Sequence, residues 1–325
     1  MNVVYASDDN FVEIMGVSIC SLFENNKNVA ELTVYILDHN ISKENKQKIA
    51  DLANAYGREI KLISTGSIVK DLSFLQQDRG GASQFSRLFL SKLLPNGCTR
   101  ALYLDCDTCI RHNIEDFYNQ DFEGKTVCGV MDCISKQHRA KVGLPETAIY
   151  INSGMMLIDL ESWKANKIED KITGIIEKFH GKIPYADQGI LNLALQEKVK
   201  LARPRYNCMS IFTTFSFDDL LKYRKPSVCD TRADIEDAKN NPSIVHFVTL
   251  FCASRPWFKN SAGPFFDDWK HYKQLTPWKD APERNTKKNV FQRIGASFYT
   301  IVPKNLGLSV LGFLHSRVKP WLMGM

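Results

Sequence analysis

Two carboxylates separated by one residue, Asp105 and Asp107, follow directly after the apolar run at residues 101–104. This run is typical of a short buried strand. Because strand side chains alternate between faces, we expect Asp105 and Asp107 to point the same way and Cys106 the other. Adjacent carboxylates repel each other unless a cation lies between them, and oxygen ligands suit Mg²⁺ or Mn²⁺. The alternative is a solvated Asp pair in a turn, but the buried strand before it favours a metal site that holds substrate phosphates.

A third ligand would complete such a site, and His246 is the candidate. It lies in the middle of the apolar run 244–248, which predicts a last strand. A lone histidine in a strand is more often structural than a ligand, so both interpretations stay open at this point.

The cysteines offer a rival metal site. Zinc ligands could be drawn from Cys106, Cys109, Cys128 and Cys133. Cys106 and Cys109 would fall on opposite faces of an extended segment, which disfavours zinc. The total of nine cysteines is odd and no export signal precedes them, which favours free thiols in a reducing compartment.

The elements that position these residues alternate in type near the N-terminus. Apolar runs predict three strands, and apolar residues at helical spacing predict two helices between them. Ser42 would cap the second helix and Gly57 would end it. This alternation is typical of a mostly parallel sheet with flanking helices, whose ligands bind beyond the carboxyl ends of the strands, where Asp8 and Asp105 would lie. The predicted strands cover residues 3–6, 32–37 and 60–63, and the helices cover 11–23 and 42–57.

Later segments supply further walls of the predicted site. Gly80 and Gly81 indicate a flexible loop before a helix that carries Arg87. A predicted strand at 149–160 is interrupted at 152–154, where a glycine marks either a bulge or the close approach of a ligand. The remaining predictions are helices at 84–94, 161–179 and from 184, and a strand at 127–132.

The net charge of +6 belongs to the C-terminal tail, residues 286–325. This tail holds six Lys or Arg residues and no Asp or Glu, so the rest of the chain is neutral. The body therefore shows no sign of nucleic-acid binding. Pro303 should divide the tail into two amphipathic segments, each too short to span a bilayer. Basic helices with apolar faces lie in the membrane interface, so we expect a catalytic domain at 1–280 and a tail at 286–325 that binds an anionic membrane surface.

Several weak motifs occur together in the order and spacing of one known family. The motifs are Ala6-Ser-Asp-Asp-Asn-Phe11, Phe85-Ser-Arg87, Leu102-Tyr-Leu-Asp-Cys-Asp107, Tyr150-Ile-Asn-Ser-Gly154, Tyr185-Ala-Asp-Gln188, and His246 followed by Arg255-Pro-Trp257. Over residues 1 to about 275 they resemble retaining glycosyltransferase family 8, the group of bacterial lipopolysaccharide galactosyl- and glucosyltransferases and glycogenin.

The resemblance implies an α/β protein of GT-A fold, with a nucleotide-binding mixed sheet and a UDP-galactose or UDP-glucose donor. It implies Mn²⁺, with Mg²⁺ as the second choice, bound by Asp105, Asp107 and His246. The nucleotide would be bound by Ala6, Asp8, Asn10, Phe11, Asp105, Cys106 and Arg255. The transferred sugar would be surrounded by Arg87, Asn152, Ser153, Asp187 and Gln188, with Asp132 nearby and Tyr185 contacting a glycan or glycolipid acceptor.

One motif departs from the family pattern. The family usually has His-x-x-Gly and then Lys-Pro-Trp shortly afterwards. Here the segment from His246 to Trp257 is longer, lacks that glycine and carries Arg255 in place of lysine. Arginine can still bind a diphosphate, in bidentate fashion where the geometry allows.

The predicted chemistry is transfer of a hexose with retention of configuration. The family places Gln188, a poor nucleophile, where a retaining hydrolase has a carboxylate. This favours same-face attack by the acceptor hydroxyl, while double displacement through Asp187 or Asp132 stays open. The alternatives are a haloacid-dehalogenase-type phosphatase, whose motif would need threonine where this chain has Cys109, and a non-catalytic nucleotide-sugar binder. We expect a cytoplasmic protein attached peripherally to the inner face of the cell membrane.

Overall fold

The computed structural model of the protein describes residues 1–66, 82–286 and 290–322. The predicted glycine loop at Gly80 and Gly81 therefore lies outside the described residues. Ten strands are described: β1 Asn2–Asp8, β2 Thr33–His39, β3 Glu59–Ser64, β4 Arg100–Leu104, β5 Thr108–Ile110, β6 Val127–Met131, β7 Ile151–Asp159, β8 Val199–Leu201, β9 Cys208–Met209 and β10 Ile244–His246.

Seven of these strands form a central mixed sheet in the order β3-β2-β1-β4-β7-β6-β8. Strands β3, β2, β1 and β4 run parallel, as the alternation near the N-terminus predicts. Strand β7 runs antiparallel to both of its neighbours, β4 and β6. The parallel half thus brings the carboxyl ends of β1 and β4 to one edge of the sheet.

A second, three-stranded sheet has the order β5-β10-β9. In it His246 pairs with Thr108 on one side and with Met209 on the other. His246 is the last residue of β10 and not its middle, because the chain turns there and the Phe247 N–H donates to the Asp107 carbonyl at 2.9 Å. The small sheet therefore delivers His246 beside the end of β4.

The central sheet is buried on both faces, and alternate residues of one strand enter different cores. Leu102 and Leu104 of β4 belong to one apolar cluster, whereas Ala101 and Tyr103 belong to the other. All four are at most 1% exposed. Burial on both faces explains why this strand has a continuous apolar run and no polar alternation.

The helices cover both faces of the sheet. As predicted, Ser42 caps its helix by accepting from the Asn45 N–H, and Gly57 ends it in the left-handed region with φ of 57°. The helices are Val12–Asn25, Lys43–Tyr56, Leu90–Leu93, Glu115–Asn119, Lys136–Val142, Leu160–Ala165, Ile168–Lys178, Ala186–Ala194, Ser210–Thr214, Phe217–Arg224, Arg232–Asn240, Phe266–Gln274, Val290–Ile301, Lys304–Phe313 and Lys319–Leu322, with 3₁₀ segments at Ala82–Phe89 and Pro204–Asn207 and a π-helical turn at Leu314–Val318.

Three sequence predictions of elements need correction. The helix at 84–94 is mostly the 3₁₀ segment Ala82–Phe89, followed by a single α-helical turn. The helix at 161–179 is two helices, because Lys167 adopts a left-handed conformation with φ of 51°. The strand at 149–160 runs unbroken from Ile151 to Asp159, but its pairing with β6 shifts between Gly129 and Met131, so the irregularity lies in the register.

The C-terminal tail packs one side of its helices against the body. Pro303 separates Val290–Ile301 from Lys304–Phe313, as predicted. Leu308 is fully buried in the main apolar cluster. A Cβ atom at Gly312 would lie 2.6 Å from the Lys222 carbonyl oxygen, so only glycine allows this approach.

The other side of the tail is exposed and largely apolar. None of the helices in the described part of the chain combines the length and the apolar character needed to cross a bilayer. The exposed apolar residues of the tail are Ile294, Ile301, Leu306, Val310, Phe313, Leu314, Trp321 and Leu322.

Candidate active site

A cavity of about 620 Å³ lies beyond the carboxyl ends of β1 and β4. Every site residue that the sequence predicts lines this cavity except Asp132, which is buried behind Gln188. The predicted residues on its wall are Ala6, Asp8, Asn10, Phe11, Arg87, Asp105, Cys106, Asp107, Asn152, Ser153, Tyr185, Asp187, Gln188, His246 and Arg255.

Asp105, Asp107 and His246 converge at the floor of the cavity. One ligand atom from each lies within 4.8 Å of the others, and no other group of three such residues among those described meets this criterion. The His246 Nε2 atom lies 3.1 Å from Asp107 Oδ1 and 3.7 Å from Asp105 Oδ2. Two carboxylates and an imidazole suit a divalent cation of the Mn²⁺ or Mg²⁺ kind.

The hydrogen bonds behind His246 fix its tautomer. Its Nδ1 lies 2.9 Å from Asn207 Oδ1, while the amide nitrogen of Asn207 donates to Asn152 Oδ1 at 2.9 Å. The Asn207 oxygen therefore accepts from a protonated Nδ1, and Nε2 is the ring nitrogen that faces the two carboxylates. The carboxylates and Nε2 can share this position only with a cation between them, either a proton on Nε2 or a metal ion, and this arrangement behind a ligating histidine is typical of metal sites.

Gly154 makes room for this cluster. A Cβ atom on Gly154 would lie 2.3 Å from Cε1 of His246 and 2.6 Å from Oδ2 of Asp105. The side chains of His246 and Asp105 thus occupy the space that a side chain at position 154 would need, while the close approach of a ligand stays a prediction. The shifted register of β7 against β6 occurs at the same place.

Arg87 links the Asp105–Asp107–His246 cluster to Asp187 on the cavity wall. Its guanidinium contacts Asp105 at 2.7 Å and Asp187 at 3.3 Å, donates to the Ser153 carbonyl at 3.1 Å and stacks over Tyr103. Burial raises the pKa of Asp187; Arg87 offsets part of this rise, and the negative charge of Asp105 adds to it. Asp187 accepts from both Arg87 and the Ser153 hydroxyl, and these two contacts fix its orientation.

Arg255 reaches the cluster from the segment that departs from the family motif. Its guanidinium lies 3.2 Å from Asp107 Oδ2 and stacks on Trp257. Burial acts to raise the pKa of Asp107, but His246 and Arg255 outweigh it and lower the pKa to about 2. Arg255 therefore brings a positive charge to the Asp105–Asp107–His246 cluster, although the segment between His246 and Trp257 is longer than in the family pattern.

Gln188 is held at both ends of its carboxamide. Its oxygen accepts from Asn152 Nδ2 at 3.1 Å and from the Ser153 backbone N–H at 3.2 Å. Its nitrogen donates to Asp132 Oδ2 at 3.2 Å. Asp132 in turn contacts Arg224 at 3.2 Å, a residue that carries no sequence motif.

The glycosyltransferase family 8 model matches residues 2–261 of this chain. The chain belongs to glycosyltransferase family 8. It is 26% identical over 281 residues to general stress protein A of Bacillus subtilis, covering 86% of this chain and 94% of the relative. It is also 26% identical over 290 residues to a lipopolysaccharide 1,2-glucosyltransferase of Escherichia coli K12, covering 88% and 81%.

The galactosyltransferase LgtC, solved in complex with donor and acceptor sugar analogues, superposes with a TM-score of 0.73 at 21% identity, covering 86% of this chain and 99% of LgtC. This likeness confirms the predicted GT-A fold, and membership of family 8 confirms the glycosyltransferase activity class. The phosphatase alternative has no support, since residues 2–261 match family 8.

The family 8 motif at the end of β1 forms a tight turn at the mouth of the cavity. Asp8 Oδ1 accepts from the backbone N–H groups of Asn10 at 3.0 Å and Phe11 at 3.1 Å. The Phe11 ring is 36% exposed and Arg284 approaches it at 6.0 Å. Strand β4 ends at Leu104, so strand alternation does not extend to Cys106, which lies in a turn and lines the cavity with both carboxylates; its thiol donates to the Ala6 carbonyl at 3.1 Å. Burial raises its pKa, so the thiol stays neutral.

At the opposite end of the cavity, Tyr185 begins the helix Ala186–Ala194. Tyr185 and Ala186 have φ of 64° and 48°, a strained conformation of the kind that gathers at functional sites. The Tyr185 ring stacks on His138 with centroids 5.3 Å apart.

Sequence reasoning missed three residues of this region: Asn207, Thr249 and Arg224. Asn207 comes from the 3₁₀ turn Pro204–Asn207, and Thr249 lies on the cavity wall three residues after His246. The only signal for Thr249 was its place in the His246 motif, where the family has the glycine. Asn207 and Arg224 carried no signal.

Proposed function

We propose that this family 8 enzyme transfers a hexose, galactose or glucose, from a UDP-sugar to a glycan or glycolipid acceptor with retention of configuration. The observation that carries the proposal is one continuous cavity with the Asp105–Asp107–His246 cluster at its floor. A planar aromatic ring lies at one end of that cavity and the fixed carboxamide of Gln188 lies at the other. This layout suits a nucleotide, a diphosphate on a metal and a sugar, in that order.

The metal is Mn²⁺, with Mg²⁺ as the second choice, bound by Asp105, Asp107 and His246. When bound, it supplies positive charge for the diphosphate and for the charge that develops as the diphosphate departs. Arg255 adds a second cation beside the same carboxylate. Both contributions favour breakage of the bond between the anomeric carbon and the diphosphate oxygen.

The donor lies along the cavity from the β1 turn to Gln188. Ala6, Asp8 and Asn10 bind the uridine and ribose, Phe11 stacks on the uracil and Cys106 lies beneath the nucleotide. Around the hexose, Arg87 and Asp187 offer paired charges, and Asn152, Ser153 and Gln188 offer amide and hydroxyl groups. These polar groups recognise sugar hydroxyls.

Retention follows from same-face attack. Double displacement would need a free carboxylate near the anomeric carbon, but Asp187 is paired with Arg87 and Asp132 with Arg224. The acceptor oxygen therefore bonds to the anomeric carbon on the face that the diphosphate leaves. The proton of the acceptor hydroxyl passes to a departing phosphate oxygen, so atoms and charge balance.

The acceptor approaches beside Tyr185 and is a glycan or glycolipid of the cell surface. The similarity to lipopolysaccharide 1,2-glucosyltransferase of E. coli and to lipopolysaccharide 1,3-galactosyltransferase of Salmonella typhimurium supports this class of acceptor. It also supports a role in lipopolysaccharide or other cell-surface polysaccharide synthesis.

The tail supports a cytoplasmic enzyme attached to the inner face of the membrane. Residues 1–280 form the catalytic domain, and 286–325 form the membrane-association tail. The exposed apolar side of the tail lies among the exposed basic residues Arg293, Lys304, Arg317 and Lys319. Apolar burial plus attraction of about 1 kcal/mol for each basic residue is the usual basis of such attachment. Lys287 and Lys288 lie outside the described residues.

The test is a panel of UDP-sugars with Mn²⁺, scored for UDP release and for the anomeric configuration of the product by NMR. One donor should be consumed, and its product should keep the donor's configuration. Gln188→Ala should lower turnover far more than UDP affinity, whereas Phe11→Ala should weaken UDP by about 1–3 kcal/mol. UDP binding without turnover of any donor would instead identify a non-catalytic nucleotide-sugar binder.

A further inference from the structure

A chain of side-chain hydrogen bonds runs from the metal-ligand cluster through the sugar pocket to the tail. Its first members are His246, Asn207, Asn152 and Gln188, linked at 2.9, 2.9 and 3.1 Å. It continues through Asp132 and Arg224 at 3.2 Å for each link, and ends at His315 of the tail at 3.4 Å.

Backbone N–H groups fix the orientation of two amide side chains in this chain. The Gly154 N–H donates to Asn152 Oδ1 at 3.1 Å, and the Ser153 N–H donates to Gln188 Oε1 at 3.2 Å. Both amide oxygens are thereby committed, so Gln188 must offer its NH₂ group to Asp132. Asp132 accepts from Gln188 with one oxygen and from Arg224 with the other.

Arg224 holds Asp132 from the side away from the cavity. The two side chains are 16% and 10% exposed, so water competes little for this ion pair. A buried carboxylate without its cation loses the partner that fixes its orientation. Its hold on Gln188 would then be lost as well.

The tail in turn holds Arg224. His315 accepts from Arg224 through Nε2, and its ring lies 5.0 Å from the rings of both His138 and Tyr223. Burial and the adjacent Arg224 lower the pKa of His315, which keeps Nε2 an acceptor. The π-helical turn that carries His315 is fixed by the bond from the Ser135 hydroxyl to the Ser316 carbonyl at 2.9 Å.

We propose that Arg224, braced by His315 of the tail, is a positioning residue for the transferred sugar. It fixes the Asp132 carboxylate that orients the Gln188 carboxamide. The docked tail is then part of the catalytic apparatus as well as an anchor. This inference rests on the proposed function, since it takes Gln188 to face the hexose.

The experiment uses the full-length chain and three sets of variants. Arg224→Ala removes the cation and Arg224→Lys keeps the charge. His315→Phe keeps the ring between its neighbours but removes Nε2. The matched control is Arg232→Ala, because Arg232 pairs with Asp218 at 2.6 Å but both side chains are more than half exposed.

We expect Arg224→Ala to lower kcat about 100-fold, the usual cost of a group misplaced by about 1 Å. The Kd for UDP should stay within twofold, because Arg224 lies away from the nucleotide end. Added guanidinium should recover part of kcat in Arg224→Ala and none in the control. Arg224→Lys and His315→Phe should fall between Arg224→Ala and the wild type.

A second readout does not depend on activity. The side-chain NH₂ resonance of Gln188, observed after selective ¹⁵N-glutamine labelling, should move toward the solvent-exposed position in Arg224→Ala but not in Arg232→Ala. An unmoved resonance, or a folded Arg224→Ala enzyme with kcat within threefold of wild type, would overturn the proposal. Parallel loss of kcat and UDP affinity without guanidinium rescue would assign Arg224 a structural role instead.

If Arg224→Ala does not fold, Arg224→Lys and His315→Phe test the positioning role instead, by kcat and by the Gln188 side-chain resonance. Wild-type protein that turns over no UDP-sugar would defeat the proposed function, while the Gln188 resonance would still report on the positioning role. The two failures are thus distinguishable.

Discussion

A Cβ atom at position 154 would lie 2.3 Å from Cε1 of His246 and 2.6 Å from Oδ2 of Asp105. Carbon atoms in contact are ordinarily about 3.5 Å apart, so each ligand would have to retreat by about 1 Å in Gly154→Ala. Metal–ligand distances tolerate only about 0.2 Å. We therefore expect Gly154→Ala to weaken Mn²⁺ binding 10- to 100-fold, roughly as other changes around metal ligands do.

Turnover of Gly154→Ala should fall about 100-fold, equivalent to about 2.7 kcal/mol of transition-state stabilisation. Mn²⁺ binding is measured by calorimetry, turnover by UDP release and folding by circular dichroism. The matched control is Gly174→Ala: Gly174 lies exposed in the helix Ile168–Lys178, where a Cβ atom meets nothing within 4 Å. This control should keep full activity and gain about 0.5–1 kcal/mol of stability. Wild-type metal affinity and turnover in Gly154→Ala would refute the reasoning.

Three further predictions concern the metal, the tail and pH. Asp107→Ala should abolish transfer while the protein stays folded, and wild-type activity should vanish in a chelator and return with Mn²⁺. A protein ending at Arg284 should lose salt-sensitive co-sedimentation with anionic vesicles. Burial lowers the pKa of His138 from 6.5 to about 3, so the unfolded state binds a proton more readily below pH 6.5. The free energy of unfolding should therefore fall by up to about 1.4 kcal/mol per pH unit from pH 6.5 downward, and His138→Phe should lose that share of the slope in urea titrations.

Each of these predictions has an outcome that contradicts it. Full turnover in chelator would remove the metal assignment. Equal sedimentation of the two proteins, or unfolding of the catalytic body on truncation, would remove the anchor. Identical slopes for wild type and His138→Phe between pH 7 and pH 4 would show that His138 does not carry the effect.

The elements that the sequence predicts well are those whose signals are local. The alternating strands and helices of the first 65 residues, the cap at Ser42 and the stop at Gly57 all depend on neighbouring residues. The two carboxylates of the Asp105–Asp107–His246 cluster were predictable as a pair because both follow one buried strand, whereas the position of His246 beside them depends on the second sheet.

Elements set by tertiary contacts were harder to predict. The segment around Arg87 is 3₁₀ and not α-helical, and all residues from Phe85 to Leu90 are buried, so no polar face gives a helical period. Arg87 also donates to the Gln84 carbonyl three residues earlier while it holds two carboxylates and the Ser153 carbonyl. The break between the helices Leu160–Ala165 and Ile168–Lys178 occurs at Lys167, where no glycine or proline predicts it.

The hydrogen-bonded chain behind the site could not be predicted, because its order in space does not follow the sequence. Asn207 comes from a 3₁₀ turn, Arg224 ends a helix of the body and His315 belongs to the tail. Each reads in the sequence as an ordinary polar residue. Only the fold shows that their donors and acceptors match.

Residue 132 must accept hydrogen bonds from both Gln188 and Arg224, so a replacement of the same size is not sufficient. Gln188 presents its NH₂ group to Asp132, because the Ser153 N–H holds the other end of the carboxamide. Arg224 presents only donors from the opposite side. In Asp132→Asn, nearly equal in size, one of these donors would face another NH₂ group, and the Ser153 N–H prevents Gln188 from turning over. An unsatisfied buried donor costs about 1–3 kcal/mol.

We therefore expect Asp132→Asn to lose at least as much stability and turnover as Asp132→Ala, measured by urea unfolding and UDP release. The alanine leaves space that water can enter to accept from both donors, whereas the asparagine keeps the conflict in place. Asp218→Asn serves as the control: Asp218 pairs at 2.6 Å with Arg232, and both side chains are more than half exposed, so the arginine can turn to solvent when its partner changes. Near wild-type behaviour of Asp132→Asn would mean that Gln188 is free to rotate, and the fixed direction of the chain would be wrong.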